Sequence, residues 1–345
     1  MRPSFNTAGP CIPGEHYMLP PERRLGRVME LIDEAKYFTL HAGRQTGKTT
    51  SARWLADQYN AGDRYRAIWV DVQCAREEPD PALAFKILLD ELDSAVARDL
   101  PDRGVPRVAA TMLDNRAAAV ACHLRDLAAR SRFPVIVLLE HADALADPVL
   151  RSLLPHIRSG FIARSGTPFP RSLVFLGAHD IRITGEINIL ADSLTLSPFT
   201  HADVEELLAQ HTTATQQRFE PVAVACIHDL SQGLPWLVNA LADRAVGRDP
   251  RRVTVTATHV EAAKEAILRE QLTHPDARMA KLQDPRVLRV LDPMIAGRGM
   301  CADIADIDYG CGLGLVRVAN RRLEIANPIY REVIPRALAC LRAAV

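Results

Sequence analysis

Short apolar runs separated by longer stretches of helical period organise the first 200 residues. The runs are 37–41, 67–72, 134–139, 172–177 and 194–196. Each is aliphatic or β-branched, and most lack polar alternation through their centres, the pattern of strands buried on both faces of a parallel sheet. The last run is short and alternating, and carries the weakest signal. Helical patterns fall at 50–59, 81–98, 114–130 and 148–158. Strand and helix in alternation predict a five-stranded α/β domain. An amphipathic helix over 22–35 precedes it, behind an arm rich in Pro and Gly, and 102–107 reads as a surface loop.

From His201 the strand pattern stops. Helical patterns begin at 201–210 and continue at 220–229, 235–246 and 257–271. Thr200 is placed to cap the first, with Asp203, Glu205 and Glu206 in its early turns. After Leu282 the pattern changes again. A helix over 286–292 should end at Pro293, and a shorter one falls within 303–314. Residues 315–325 read as a hairpin turning at 319–321. Asn327 then caps a final helix with Pro328 in its first turn. Helices, hairpin and closing helix suggest a winged helix-turn-helix. The expected divisions are an N-terminal arm with its first helix (1–35), an α/β core (36–200), a helical lid (201–280) and a winged-helix domain (281–345).

A chain of 345 residues, 48% hydrophobic, can bury the cores of two or three such domains. No uncharged apolar run of membrane-spanning length is present, and the N-terminus lacks an apolar signal region. Seven Cys without a Cys-x-x-Cys pair read as reduced thiols of a cytoplasmic protein, not a disulfide frame or zinc site. Forty-two basic residues balance 42 acidic ones, so no net field steers the chain toward nucleic acid or membranes.

The densest chemistry lies at Ala42, Gly43, Arg44, Gln45, Thr46, Gly47, Lys48, Thr49 and Thr50. This is a phosphate-binding loop with Ala42 in place of the usual first Gly. It lies between a predicted strand and a predicted helix, the context such a motif requires. Gly43 and Gly47 let successive backbone N–H groups turn into one anion hole, and the helix start adds its own. Lys48 reaches β- and γ-phosphates, and the Thr49 hydroxyl can ligate Mg²⁺. The loop therefore predicts a nucleoside triphosphate ligand. Its Mg²⁺ needs a carboxylate at the end of a neighbouring strand. Glu140, closing the run 134–139, supplies one, followed by His141, Ala142 and Asp143.

At this point the chain resembles the AAA+-like and STAND-type P-loop ATPases, whose pattern here is apolar-Asp-Glu-Ala-Asp. Glu140 stands in the usual Asp place and His141 in the usual Glu place, where the family's Glu polarises the attacking water. His141 reads equally as a proton acceptor and as a surface residue at a helix start, and either reading implies slow hydrolysis. Asp143 reads as a helix cap or a substitute acid. Residues 172–180 are similar to the family's strand ending in Gly-x-Arg-Asp, with His179 in the Arg place. Asp180 and Arg182 are then the candidates to sense the γ-phosphate. Gly233 and Pro235 resemble the Gly-x-Pro element whose Pro packs near adenosine, and would equally serve as a helix-helix corner. Tyr17 and Arg24 resemble residues that flank adenine, and Tyr17 equally suits a packing role. Residues 325–335 resemble the end of a bacterial group of AAA-like ATP-binding proteins.

The resemblance implies ATP and Mg²⁺ as cofactors, the latter between Thr49 and Glu140, and an ATP-dependent switch whose lid changes angle with nucleotide. The implied partners are ATP and ADP, with a protein partner or further copies of the chain. Arg158 or Arg164 would act in trans, although both equally suit solvated charges. The alternative is a nucleotide-stabilised DNA-binding regulator. Residues 276–345 hold 11 Arg or Lys and 8 Asp or Glu, a net of +3. Arg317, Arg321 and Arg322 suit a wing on phosphates, but Asp303, Asp306 and Asp308 crowd the recognition-helix position, so a protein-facing role is favoured. In a third reading ATP is only structural.

Overall fold

The computed structural model describes residues 2–100, 116–181, 190–247, 253–273, 279–298, 302–319 and 321–343. The predicted loop 102–107, the start of the helix predicted at 114–130, Arg182 and Asn320 lie outside the described residues.

Five apolar runs form one parallel sheet: β1 (Tyr37–His41), β2 (Arg66–Asp71), β3 (Val135–Glu140), β4 (Ser172–Gly177) and β5 (Leu190–Thr195). The spatial order is β2-β3-β4-β1-β5. β5 starts four residues earlier than its apolar pattern suggests, because Asp192 and Ser193 lie on an edge strand, where polar side chains are tolerated. Its pairing with β1 shifts register between Tyr37 and Phe38.

Alternate strand residues serve the two faces of the sheet. Tyr37, Ile68, Val137 and Phe175 point to the face covered by α3 (Pro81–Asp99), α4 (Arg116–Arg130) and α5 (Asp147–Ala163). Phe38, Ala67, Leu138 and Val174 point to the face covered by α1 (Glu22–Asp33) and α2 (Lys48–Ala61). This double burial is why the runs are apolar throughout rather than alternating.

By its internal packing the chain divides into two compact units. The sheet, α1 to α5 and residues 48–196 make up one, with residues 21–42. The other comprises 1–20, 43–47 and 197–345. Its helices are α6 (His201–Thr215), α7 (Pro221–Ser231), α8 (Pro235–Val246), α9 (Ala257–Thr273), α10 (Pro285–Ile295), α11 (Ile304–Leu313) and α12 (Pro328–Ala343). A hairpin of β6 (Val316–Ala319) and β7 (Arg322–Ile325) lies between α11 and α12. A single core joins them, including Leu207, Leu241, Ile267, Leu291 and Ile329, and takes in Phe5 and Tyr17 of the N-terminal arm. Tyr17 is 3% exposed, its ring 4.9 Å from Phe5 and edge-on to His211, so its role here is packing.

The helix starts follow their caps. Thr200 and Asp203 form a reciprocal capping box on α6, and the Asn327 side chain accepts the Tyr330 N–H at the start of α12. α10 does not end at Pro293 but runs on to Ile295. The ring lies in the last turn, where the Ala296 N–H still reaches the Asp292 carbonyl, and buried Val290 and Leu291 anchor the preceding turn.

Candidate functional site

The loop between β1 and α2 has the backbone its glycines suggest. Gln45 (φ 65°) and Gly47 (φ 87°) are left-handed, and alternation of this kind turns successive N–H groups toward one concave side. A left-handed Gln costs about 1–2 kcal/mol, a type of strain that gathers at functional sites. The Thr46 hydroxyl closes the loop by donating to the Gly43 carbonyl at 2.8 Å. Residues 43–47 pack with the end of α11 and the start of α8. Arg44 donates its N–H to the Gly312 carbonyl at 3.2 Å, and Trp236 donates its N–H to the Gln45 carbonyl at 3.4 Å. A Cβ on Gly43 would lie 3.0 Å from the Cys311 carbonyl oxygen, so a larger residue there would be tightly packed.

Ala42 is buried, and its N–H donates to the Gly177 carbonyl at the end of β4. Lys48 and Thr49 open α2, followed by Thr50 in the first turn. The Lys48 ammonium is buried and donates to the Ala42 carbonyl at 2.5 Å. The Thr49 hydroxyl donates to Glu140 Oε1 at 2.5 Å, and the Trp69 indole N–H donates to Oε2 at 2.6 Å. Glu140 is fully buried. Burial pushes its carboxyl above the usual range, outweighing the hydrogen bonds from Thr49 and Trp69.

Glu140 closes β3, which is not the strand next to β1 that a carboxylate on a neighbouring strand would imply. β4 lies between β1 and β3. Thr49 meets Glu140 because α2 packs across β2 and β3. Sequence carries the period of each strand but not its place in the sheet.

His141 follows Glu140 with a left-handed backbone, φ 60° and ψ 31°. Its Nδ1 lies 2.7 Å from Asp71 Oδ1, at the end of β2. Burial works against the charged imidazole, but the bond to Asp71 and the nearby carboxylates outweigh it and raise its pKa. Burial likewise works to raise the Asp71 carboxyl, but bonds from His141 and the Gln73 N–H hold it below the usual range. Asp143 caps no helix among the described residues. Its Oδ2 accepts the N–H groups of Ala178 and His179, tying the turn after β3 to the end of β4. Gly177 is required beside it, since a Cβ there would lie 2.5 Å from Asp143 Oδ1.

Asp180 bonds to the Thr39 hydroxyl inside β1 at 3.2 Å, while Arg182 lies outside the described residues. Pro235 is buried at the first turn of α8. Gly233 before it is left-handed, with the Phe199 carbonyl oxygen 2.0 Å from where a Cβ would stand, so this corner has a structural reason of its own. The Arg164 guanidinium bonds to the Ala35 and Arg171 carbonyls and lies over Phe161. Arg158 is exposed on α5. In the hairpin, Arg317 is engaged by Glu324 and Gln232, while Arg321 and Arg322 are exposed; on α11, Asp306 is engaged by Arg289.

The donor set suits Mg²⁺ with a nucleotide. Mg²⁺ takes one or two protein oxygens and fills its remaining positions with water and phosphate. Thr49 and Glu140 place two hard oxygen groups in contact. Among the described residues no group of three or more His, Cys, Asp or Glu could hold a metal alone.

Sequence reasoning missed Trp69 and Asp71. The available signal was an acid next to the last position of the apolar run 67–72, near the strand end as Glu140 is after 134–139, with a Trp two residues earlier.

No protein-family model matches the chain, and no curated protein matches it. Solved structures do. A Walker-type ATPase of Pyrococcus abyssi superposes with a TM-score of 0.63 at 14% identity, over 96% of this chain and 99% of that one. Cdc6p of Pyrobaculum aerophilum superposes with a TM-score of 0.52 at 17% identity, over 93% and 95%. The chain is similar to both along almost its whole length, and the likeness shows its fold: a five-stranded parallel α/β sheet of the P-loop kind flanked by helices, followed by a helical C-terminal region.

Proposed function

We propose that this chain is a Mg²⁺-dependent, ATP-binding AAA+ protein, close to the STAND type, that works as a cytoplasmic nucleotide switch and hydrolyses ATP slowly. The observation that carries the reading is the contact of Thr49 with buried Glu140 beside a left-handed glycine loop ending in Lys48. Thr49 and Glu140 would hold Mg²⁺, whose positive charge would offset that of the phosphates. Lys48 would leave the Ala42 carbonyl for phosphate. The N–H groups of 43–49 would hold phosphate oxygens, and Asp180 or Arg182 would report the γ-phosphate. Pro235 would lie toward the adenosine. His141, in place of a carboxylate, would take the proton of the attacking water, which is the reason to expect slow turnover. Residues 43–47 pack within the helical unit, while Lys48 and Thr49 begin the helix of the other. A switch needs contacts that differ between the ATP and ADP states.

A duplex-binding regulator draws less support. Arg317 is engaged by Glu324 and Gln232, and the helix ahead of the wing carries Asp306 and Asp308. A protein partner or further copies of the chain fit better.

Titration calorimetry with ATP, with and without Mg²⁺, tests the reading. Wild type should bind ATP more tightly with Mg²⁺, and Lys48→Ala should weaken binding about 100-fold or more, the scale of losing a charged phosphate contact in a buried site. Equal affinity in the two proteins would refute the assignment.

A further inference from the structure

Strand β2 contacts both residues at the acidic tip of β3. Trp69 and Asp71 are two apart and so share one face of the strand. Trp69 donates to Glu140 Oε2, and Asp71 Oδ1 lies 2.7 Å from His141 Nδ1. The register explains how one strand serves two neighbours: Asp71 pairs with Glu140 in the sheet, and the Val72 N–H donates to the Glu140 carbonyl at 3.0 Å.

His141 reaches Asp71 only because its backbone leaves the strand. Continued alternation would send its side chain to the opposite face from Glu140. The left-handed conformation at φ 60° re-aims it, at a conformational cost rarely accepted by a residue with a Cβ. Asp71 is itself fixed, since its Oδ1 also accepts the Gln73 N–H at 2.9 Å. His141 Nε2 makes no hydrogen bond among the described residues, and the side chain is 25% exposed. A carboxylate on Nδ1 selects the tautomer with its proton there and its lone pair on Nε2.

We infer that Asp71 is a positioning residue that orients His141 and fixes its tautomer, so that Nε2 of the imidazole does the work a glutamate usually does in this fold. This rests on the hydrolytic reading above. In the step, the water oxygen bonds to the γ-phosphorus as the bond to the β–γ bridging oxygen breaks. Its electron pair leaves with ADP, and the water proton passes to Nε2 and on to solvent. Asp71 holds the ring throughout and takes no proton. A surface ion pair would show the same distance, so the test must separate orientation from simple attraction.

ATP turnover and ATP affinity are measured for wild type, Asp71→Asn, His141→Glu and the double variant. Asp71→Asn should lower kcat at least about 10-fold, and toward about 10⁴-fold if the ring takes the wrong tautomer, with ATP affinity within about twofold of wild type. In the His141→Glu background the same change should cost nothing further, because a carboxylate has no tautomer to fix. An unimpaired Asp71→Asn, or an equal loss in both backgrounds, overturns the positioning role alone. A wild type that binds ATP without turnover overturns hydrolysis and this role together, and one that binds no ATP overturns the function proposed above. If Asp71→Asn does not fold, ¹⁵N-histidine spectra of wild type at alkaline pH decide. A proton on Nδ1 of His141 supports the inference, and one on Nε2 overturns it.

Discussion

Glu140 and Asp306 are both buried carboxylates, one in each unit, but their partners differ in kind. Asp306 is gripped by the Arg289 guanidinium through both oxygens, at 2.6 and 2.8 Å. The hydrogen bond from Arg289 is the main reason its carboxyl falls below the usual range. Glu140 is bonded by neutral donors, the Thr49 hydroxyl and the Trp69 indole, and burial pushes its carboxyl upward. A carboxylate supplied with its own cation joins two helices, here α10 and α11. One held by neutral donors keeps its charge available for a cation that arrives with a ligand. The same residue chemistry is structural in one unit and suited to a site in the other, and the partner decides which.

Replacing each acid by its amide gives the largest contrast. Glu140→Gln should lower ATP turnover about 100-fold or more, by losing charge opposite the metal. The thermal midpoint of the nucleotide-free protein should hold or rise. The amide can still accept from Trp69 and donate to Thr49, and a buried charge is gone. Asp306→Asn should lower the midpoint at neutral pH. Because the folded-state value of Asp306 lies below the ordinary one, its contribution is present above the ordinary carboxylate range and is lost as pH falls through the lowered value. The penalty of Asp306→Asn should therefore shrink in acid. Calorimetric scans of both variants across pH check this, and a lower midpoint for both at neutral pH would remove the contrast.

Gly177→Ala sharpens the picture at the nucleotide end. The new Cβ would meet Asp143 and drive it off the Ala178 and His179 amides, costing about 1–3 kcal/mol in overpacking. Denaturant unfolding measures it, and a loss under ~0.5 kcal/mol would show that the turn adapts freely. The smallest effect belongs to Trp69→Phe, which removes one hydrogen bond to Glu140, worth about 1.5 kcal/mol. It should also ease protonation of Glu140 and weaken Mg²⁺-dependent ATP binding less than Glu140→Gln does. An equal or greater loss would make Trp69 more than a donor.

Much of this fold is legible locally. The runs at 37–41 and 172–177 are β1 and β4 to the residue, because strands buried on both faces carry an unbroken apolar signal. The edge strand β5 was legible only at its end, since one flank is free of the apolar demand. Pro293 misled because a ring in a final turn loses little when the preceding turn is packed. At the site, Lys48, Thr49, Glu140 and His141 announce themselves by type and spacing.

Their partners do not, and the reason is physical. Strand periodicity, caps and the glycine loop arise from interactions within a few residues of one another, and the sequence alone determined them. The order β2-β3-β4-β1-β5, the register that sets Asp71 beside Glu140, and the left-handed turn that brings His141 to Asp71 depend on which strands lie side by side. Tertiary structure decided those, because residues 70 positions apart become neighbours only when a sheet forms.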